Sequence, residues 1–182
     1  LRLGAREAVV VGIATDRLST YRAAVRPTID PTEPVTWAKQ NLPSLLSGAP
    51  LPILLTHTGL KVDREILPLL PDGTLFAGAH DHLRFVHRAG RTVYFHSGSW
   101  TEFMSVARLR REGDGLRWEV EAIRIEAGDR EEPVLATLVR ETMQRHLTRE
   151  ETAVVGKLRE PLGPTAAARY AVEAARVAAG AD

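Results

Sequence analysis

The 182-residue sequence contains no cysteine. That excludes disulfides, thiolate nucleophiles and cysteine-based zinc clusters, so any metal ion held by this chain must rely on His, Asp, Glu or Asn. An excess of either charge is also lacking, since 24 Lys and Arg stand against 23 Asp and Glu, a formal net charge of +1. No global field gathers nucleic acid or anionic membrane, and an anionic ligand must be held locally. Aromatic residues are sparse at 5% and do not interleave with a basic stripe, which argues against a nucleic-acid-binding module. No apolar run approaches the roughly 18 residues that span a bilayer, and the opening LRLGAREAVV lacks a signal-peptide layout. What is present, 44% hydrophobic residues, is enough to build one ordinary core. Leu1 opens inside structured-looking sequence and Asp182 follows directly on a helical pattern, so the chain is expected to be a piece of something longer.

The first part of the chain alternates strand and helix patterns. Ala8 to Ala14 is a short, nearly continuous apolar run rich in β-branched residues, which reads as a central strand buried on both faces. After loop residues Pro27, Pro31 and Pro34, Val35 to Leu46 has helical spacing, with Pro43 predicting a bend or an early stop. Pro52 to Thr56 repeats the buried-strand pattern, and Asp63 to Leu70 predicts a second short helix. This βαβα order implies parallel strands. From Thr74 onward, short strand patterns (74–77, 84–87, 92–96, 104–110 and 116–125) separated by glycine-containing turns predict an antiparallel sheet. Pro133 to Leu147 reads as a helix and Thr152 to Leu158 as a candidate strand. Thr165 to Ala179 reads as an alanine-rich helix opened by Pro164 and closed by Gly180.

Five of the six histidines lie between His57 and His96. His57 and His80 sit just past the C-terminal ends of predicted strands, where loops converge in an open α/β sheet and where ligands collect. In His80-Asp81-His82 two imidazoles stand two positions apart, with Gly78 supplying backbone freedom for a turn. Imidazole suits Zn, Mn, Fe and related ions. Taken singly, each of these histidines reads as a strand-end residue bonded to backbone; taken together at this placement, they read as metal ligands. His96 opens His96-Ser97-Gly98-Ser99 at a strand end and is a candidate for the substrate side of the same crevice, or else a packed core histidine. His87 and His146 read as solvated. Ser97 and Ser99 lie near His96, but no nucleophile-elbow sequence surrounds them.

These residues resemble a known family. Ile53-Leu54-Leu55-Thr56-His57-Thr58-Gly59-Leu60, followed by Asp63, resembles the fourth motif of calcineurin-like metallophosphoesterases of the 5′-nucleotidase group. Gly78-Ala79-His80-Asp81-His82 resembles their fifth, Gly-x-His-x-His. Tyr94 to Ser99 is similar to the strand and small-residue turn that follow, and Ala8 to Thr15 to the strand ahead of the fourth motif. The likeness covers roughly the first 125 residues, and Gly156 to Asp182 more faintly resembles the linker and first helix of a nucleotidase C-terminal domain.

The resemblance implies an α/β (α+β) fold that is half of a four-layer α/β-β/α sandwich with mixed and antiparallel strands. The domain division it implies is 1–128 for the half-domain, 129–155 for a linker helix and 156–182 for the start of a further domain. It also implies that His57 and His80 bind one divalent ion and His82 another, in a two-metal centre of Zn, Mn or Fe type acting on a small phosphate ester of the nucleotide kind. The family's Asp-x-His, bridging Asp and Gly-Asn-His segments are not in this chain, so the chain is expected to need an N-terminal half and to be inactive alone. A periplasmic or extracellular parent is implied by the group. Two alternatives stand beside it: a mononuclear zinc hydrolase with all three histidines on one ion, and a non-catalytic remnant or interaction module.

Overall fold

The computed structural model describes residues 1–113, 115–126, 128–154 and 160–180. The chain divides into two units, Leu1–Asp129 and Arg130–Asp182.

The apolar runs of the first unit build a five-stranded mixed sheet. In chain order its strands are β3 (Val9–Ala14), β4 (Pro52–His57), β5 (Leu75–Gly78), β6 (Arg84–Ala89) and β7 (Thr92–Ser97). They lie side by side as β3-β4-β5-β7-β6, all parallel except β6, which runs antiparallel to β7. Two-residue strands β1 (Arg2–Leu3) and β2 (Arg6–Glu7) form a separate ladder ahead of it, and β8 (Phe103–Glu112) with β9 (Gly115–Arg124) forms a long hairpin. The structure is α/β, as the early alternation implied, but the region after Thr74 is not wholly antiparallel. β5 and β7 extend the parallel sheet, with β7 inserted between β5 and β6, because their short apolar runs are sandwiched on both faces, as parallel strands require.

Registered neighbours sort into faces. Val11, Leu54, Phe76 and Tyr94 lie in one cross-sheet row, and Ile13, Thr56, Gly78 and His96 in the next. Both rows face helices α1 (Pro34–Leu46) and α2 (Leu60–Ile66), whose Val35, Ala38, Leu42, Leu46 and Ile66 complete that core. On the opposite face Ile53, Leu75, Val93 and Phe95 pack against Trp118 of the hairpin. Trp118 is pinned there, its indole Nε1 donating to the Gly73 carbonyl at 3.1 Å while the Arg88 guanidinium donates to the Trp118 carbonyl at 3.0 Å. The layers are therefore helix, mixed sheet and hairpin.

Three local expectations change. β3 is an edge strand, not a central one, and its burial alternates: Val11 and Ile13 are buried while Val10 is 41% exposed. A β-branched run satisfies an edge with one covered face as well as an interior strand. Pro43 does not stop α1, which runs on to a buried Leu46. The loss of one backbone bond in the last turns is offset by burying Leu42 and Leu46, roughly 1.5–3 kcal/mol each. At the other end the Glu33 carboxylate accepts from Val35 and Thr36 N–H, capping the helix ahead of Pro34. Finally, α2 begins at Leu60, three residues early, and passes into a 3-10 turn at Leu67–Leu69.

The second unit carries α3 (Pro133–His146) and α4 (Pro164–Ala178), each opened by proline and neither burying a residue. Of the expected strand at 152–158, residues 152–154 are not extended in a ladder and 155–158 lie outside the described residues. Gly156 and Arg159 of the faint C-terminal likeness are outside them too.

Because β3 has one open face, Val10→Thr is expected to change stability by less than about 0.5 kcal/mol. Leu54→Ala, which empties a fully buried position, is expected to cost about 3 kcal/mol. Paired urea unfolding curves check both.

Candidate functional site

The register brings the carboxyl ends of β3, β4, β5 and β7 to one edge of the sheet: Ala14 pairs with His57, and Gly78 with His96. β6 enters from the same side, with Arg84 opposite Ser97. His57, His80, His82 and His96 therefore share one rim, for the reason that parallel strands send all their outgoing loops the same way.

His57 ends β4 on the parity of Ile53 and Leu55, the face opposite the helices, and is exposed. His80 follows β5, and its ring stands edge-on to that of His57 with centroids 5.3 Å apart. The backbone of His80 has φ +95° and that of His82 φ +56°, a left-handed pair that costs of order 1–3 kcal/mol per strained non-glycine residue and is retained only where surroundings enforce it. The His82 ring meets Trp100 edge-on at 5.5 Å instead. No side-chain hydrogen bond among the described residues reaches the ring nitrogens of His57, His80 or His82, which leaves their donor atoms open to an ion. As a donor set they fit one in part: two imidazoles adjoin, but no three described His, Asp or Glu side chains gather closely enough to hold a metal. The mononuclear three-histidine alternative needs that convergence and does not find it.

His96 lies on the other face. It is 2% exposed, stacked on Phe85 and edge-on to Tyr94, so its place is in the packed interior rather than on an open crevice wall. It belongs to a buried polar network centred on Asp63, which is fully buried. Asp63 Oδ1 accepts from the hydroxyls of Thr56 at 2.8 Å and Thr58 at 2.5 Å; Oδ2 accepts from Tyr94 at 2.8 Å and lies 3.2 Å from His96 Nε2, which is also 2.7 Å from the Tyr94 hydroxyl. With a proton on Nε2 every donor in the set has an acceptor. Nδ1, buried without a partner, is then a bare acceptor, a smaller penalty than an orphan N–H bond. Burial by itself raises the Asp63 carboxyl, but hydrogen bonds from His96, Thr58, Thr56 and Tyr94 outweigh it and hold the group below the usual carboxylate value. Burial, and then the hydrogen bond and charge of Asp63, push the Tyr94 phenol up.

Gly78 makes room for this network. A Cβ there would lie closer than 3.0 Å to both His96 Nε2 and Asp63 Oδ2, so the carboxylate and the ring occupy the space above the glycine. Sequence reasoning took Gly78 as a source of turn flexibility and did not assign Asp63, Tyr94 or the threonines a role. The only local signal was Thr56 and Thr58 flanking His57 on alternate positions, pointing away from it.

No family model and no curated protein matches the sequence. Among solved structures the chain is similar to a Staphylococcus aureus protein assigned as a 5′-nucleotidase, crystallised with α-ketoglutarate. The likeness is at 15% identity with a TM-score of 0.48, covering 79% of this chain and 32% of that one. The chain thus spans about a third of that neighbour's length.

Gly78→Ala is expected to cost about 2–3 kcal/mol by overpacking, read as a lowered melting temperature. Asp63→Asn places an amide N–H₂ among donors and is expected to cost about 3 kcal/mol at neutral pH. Because the folded carboxyl lies below its unfolded value of about 3.9, its contribution is present in full above that value and is lost as pH falls through the folded one. The wild-type advantage over Asp63→Asn should therefore narrow in urea titrations run from pH 7 down to pH 3.

Proposed function

We propose that the first unit supplies the histidine half of a dinuclear metallophosphoesterase centre of the 5′-nucleotidase kind, with His57 and His80 directed at one divalent ion and His82 at a second. The observation that carries this is the convergence of His57 and His80, from two separate strand ends, to a 5.3 Å edge-on ring pair at the carboxyl rim of a parallel sheet. The motif resemblance names the chemistry; the rim is where such chemistry is built. Bound divalent ions of Zn, Mn or Fe type supply Lewis acidity for in-line displacement at phosphorus. The histidines' own share is to present nitrogen donors, His57 from the last residue of β4 and His80 and His82 from the turn that follows β5.

Neutral imidazoles do not offset the charge of two dications. Carboxylate ligands are therefore proposed to come from a further segment or domain half, and the substrate is proposed to be a small phosphate ester, nucleotides foremost. A periplasmic or extracellular setting belongs to the same proposal. The second reading, a non-catalytic interaction module, is favoured by one observation: no three metal-ligating side chains cluster among the described residues.

Calorimetric titration of Zn²⁺ and Mn²⁺ into the chain separates the two. The metal reading expects weak uptake that falls at least about tenfold in His57→Ala and His80→Ala and less in His82→Ala for the first ion, with background hydrolysis of p-nitrophenyl phosphate and AMP by the chain alone. Equal uptake by wild type and the His57→Ala/His80→Ala double variant would sink it in favour of the interaction module.

A further inference from the structure

Two candidate ligand loops leave neighbouring strands, and nothing in their own sequences sets the gap between them. Across that gap one contact stands out. Asp81 Oδ2 accepts the backbone N–H of Leu60 at 2.6 Å, joining positions 21 residues apart. Leu60 is three residues past His57, and Asp81 lies directly between His80 and His82.

The surroundings are fitted to this bond. Leu60 is the first residue of α2, whose N-cap position is Gly59, a residue with φ +88° and no side chain to cap the helix. The cap comes from Asp81, and glycine leaves room for it, since a Cβ at Gly59 would meet the two Asp81 carboxylate oxygens at 3.0 and 3.2 Å. A carboxylate on an otherwise orphan helix-end N–H is a charge-assisted bond, stronger than a neutral one. On the other side, Asp81 is bracketed by the two strained backbones of His80 and His82, a conformation that needs an external restraint to persist.

We infer that Asp81 is a positioning residue, a clamp that holds the His80 loop against the His57 loop through the Leu60 N–H and so sets the separation of the two imidazoles. Its bearing on metal binding rests on the function proposed above; the clamp itself is a property of the polypeptide. Asparagine keeps an acceptor oxygen at the same place and should hold the clamp, whereas alanine removes it.

The test is aromatic NOE spectroscopy on the full ¹³C-labelled chain without metal, with melting temperature as the control for global folding and Zn²⁺ titration as the second readout. Wild type and Asp81→Asn should show a cross-peak between the His57 and His80 rings; Asp81→Ala should lose it while still unfolding cooperatively, with a melting temperature lowered by no more than the few degrees that loss of one exposed helix cap implies, and bind Zn²⁺ about tenfold more weakly, while Asp81→Asn stays within about threefold of wild type. A cross-peak that survives in Asp81→Ala, or one that is lost in Asp81→Asn as well, overturns the clamp. If the NOEs behave as expected and no variant takes up Zn²⁺, the clamp stands and the metal reading falls. If His57→Ala weakens Zn²⁺ binding while Asp81→Ala changes neither readout, the metal reading stands and the clamp falls.

Discussion

The carboxylate of Asp63, buried over a glycine, ties the first unit together. It reaches from α2 to the hydroxyls of Thr56 and Thr58 on and just after β4, to Tyr94 and His96 on β7, and across the vacant side-chain position of Gly78 on β5. One charged group thus ties a helix to three adjacent strands. A buried charge is tolerated only when its lone pairs are filled, and here four side chains fill them. The cost of dehydrating Asp63 is offset by a geometry that admits no slippage: a one-residue shift of β5 would put a side chain where the carboxylate sits.

That rigidity matters because of what lies immediately beyond it. His57 stands between the two threonines bonded to Asp63, and His80 two residues past Gly78. The network occupies the helix-covered face while His57 projects from the opposite one, so the polar interior positions the rim without competing for its donors. Side chains anchored at or just beyond strand ends lose less conformational freedom on engaging a partner than those on free loops. The left-handed backbones of His80 and His82, and the Asp81 bond to the α2 terminus, belong to the same pattern of strain held in place by neighbours.

Much of this was legible in the residues. The apolar runs of β4, β5 and β7 announced themselves as short, nearly continuous apolar stretches, the helices through spacing and proline starts, and the histidines through their place after strands. Other features were not. β3 read as interior because local composition does not report which neighbours a strand has. The start of α2 is not visible in its own sequence because its cap is contributed by Asp81, far away along the chain. In sequence His96 suits a crevice role or a core role, and the side of the sheet it faces decides for the core.

By itself, then, the sequence determined element type, the α/β class and the clustering of imidazoles at strand ends, since these follow from side-chain periodicity and local backbone preference. Only tertiary structure decided that His57 and His80 adjoin while His82 turns to Trp100, that Asp63 and Gly78 share one volume, and that β3 lies at the edge. The physical reason is the same in each case: these are contacts between segments roughly 15 to 40 residues apart, set by strand order and register, which loop-closure and packing choose and no local pattern encodes.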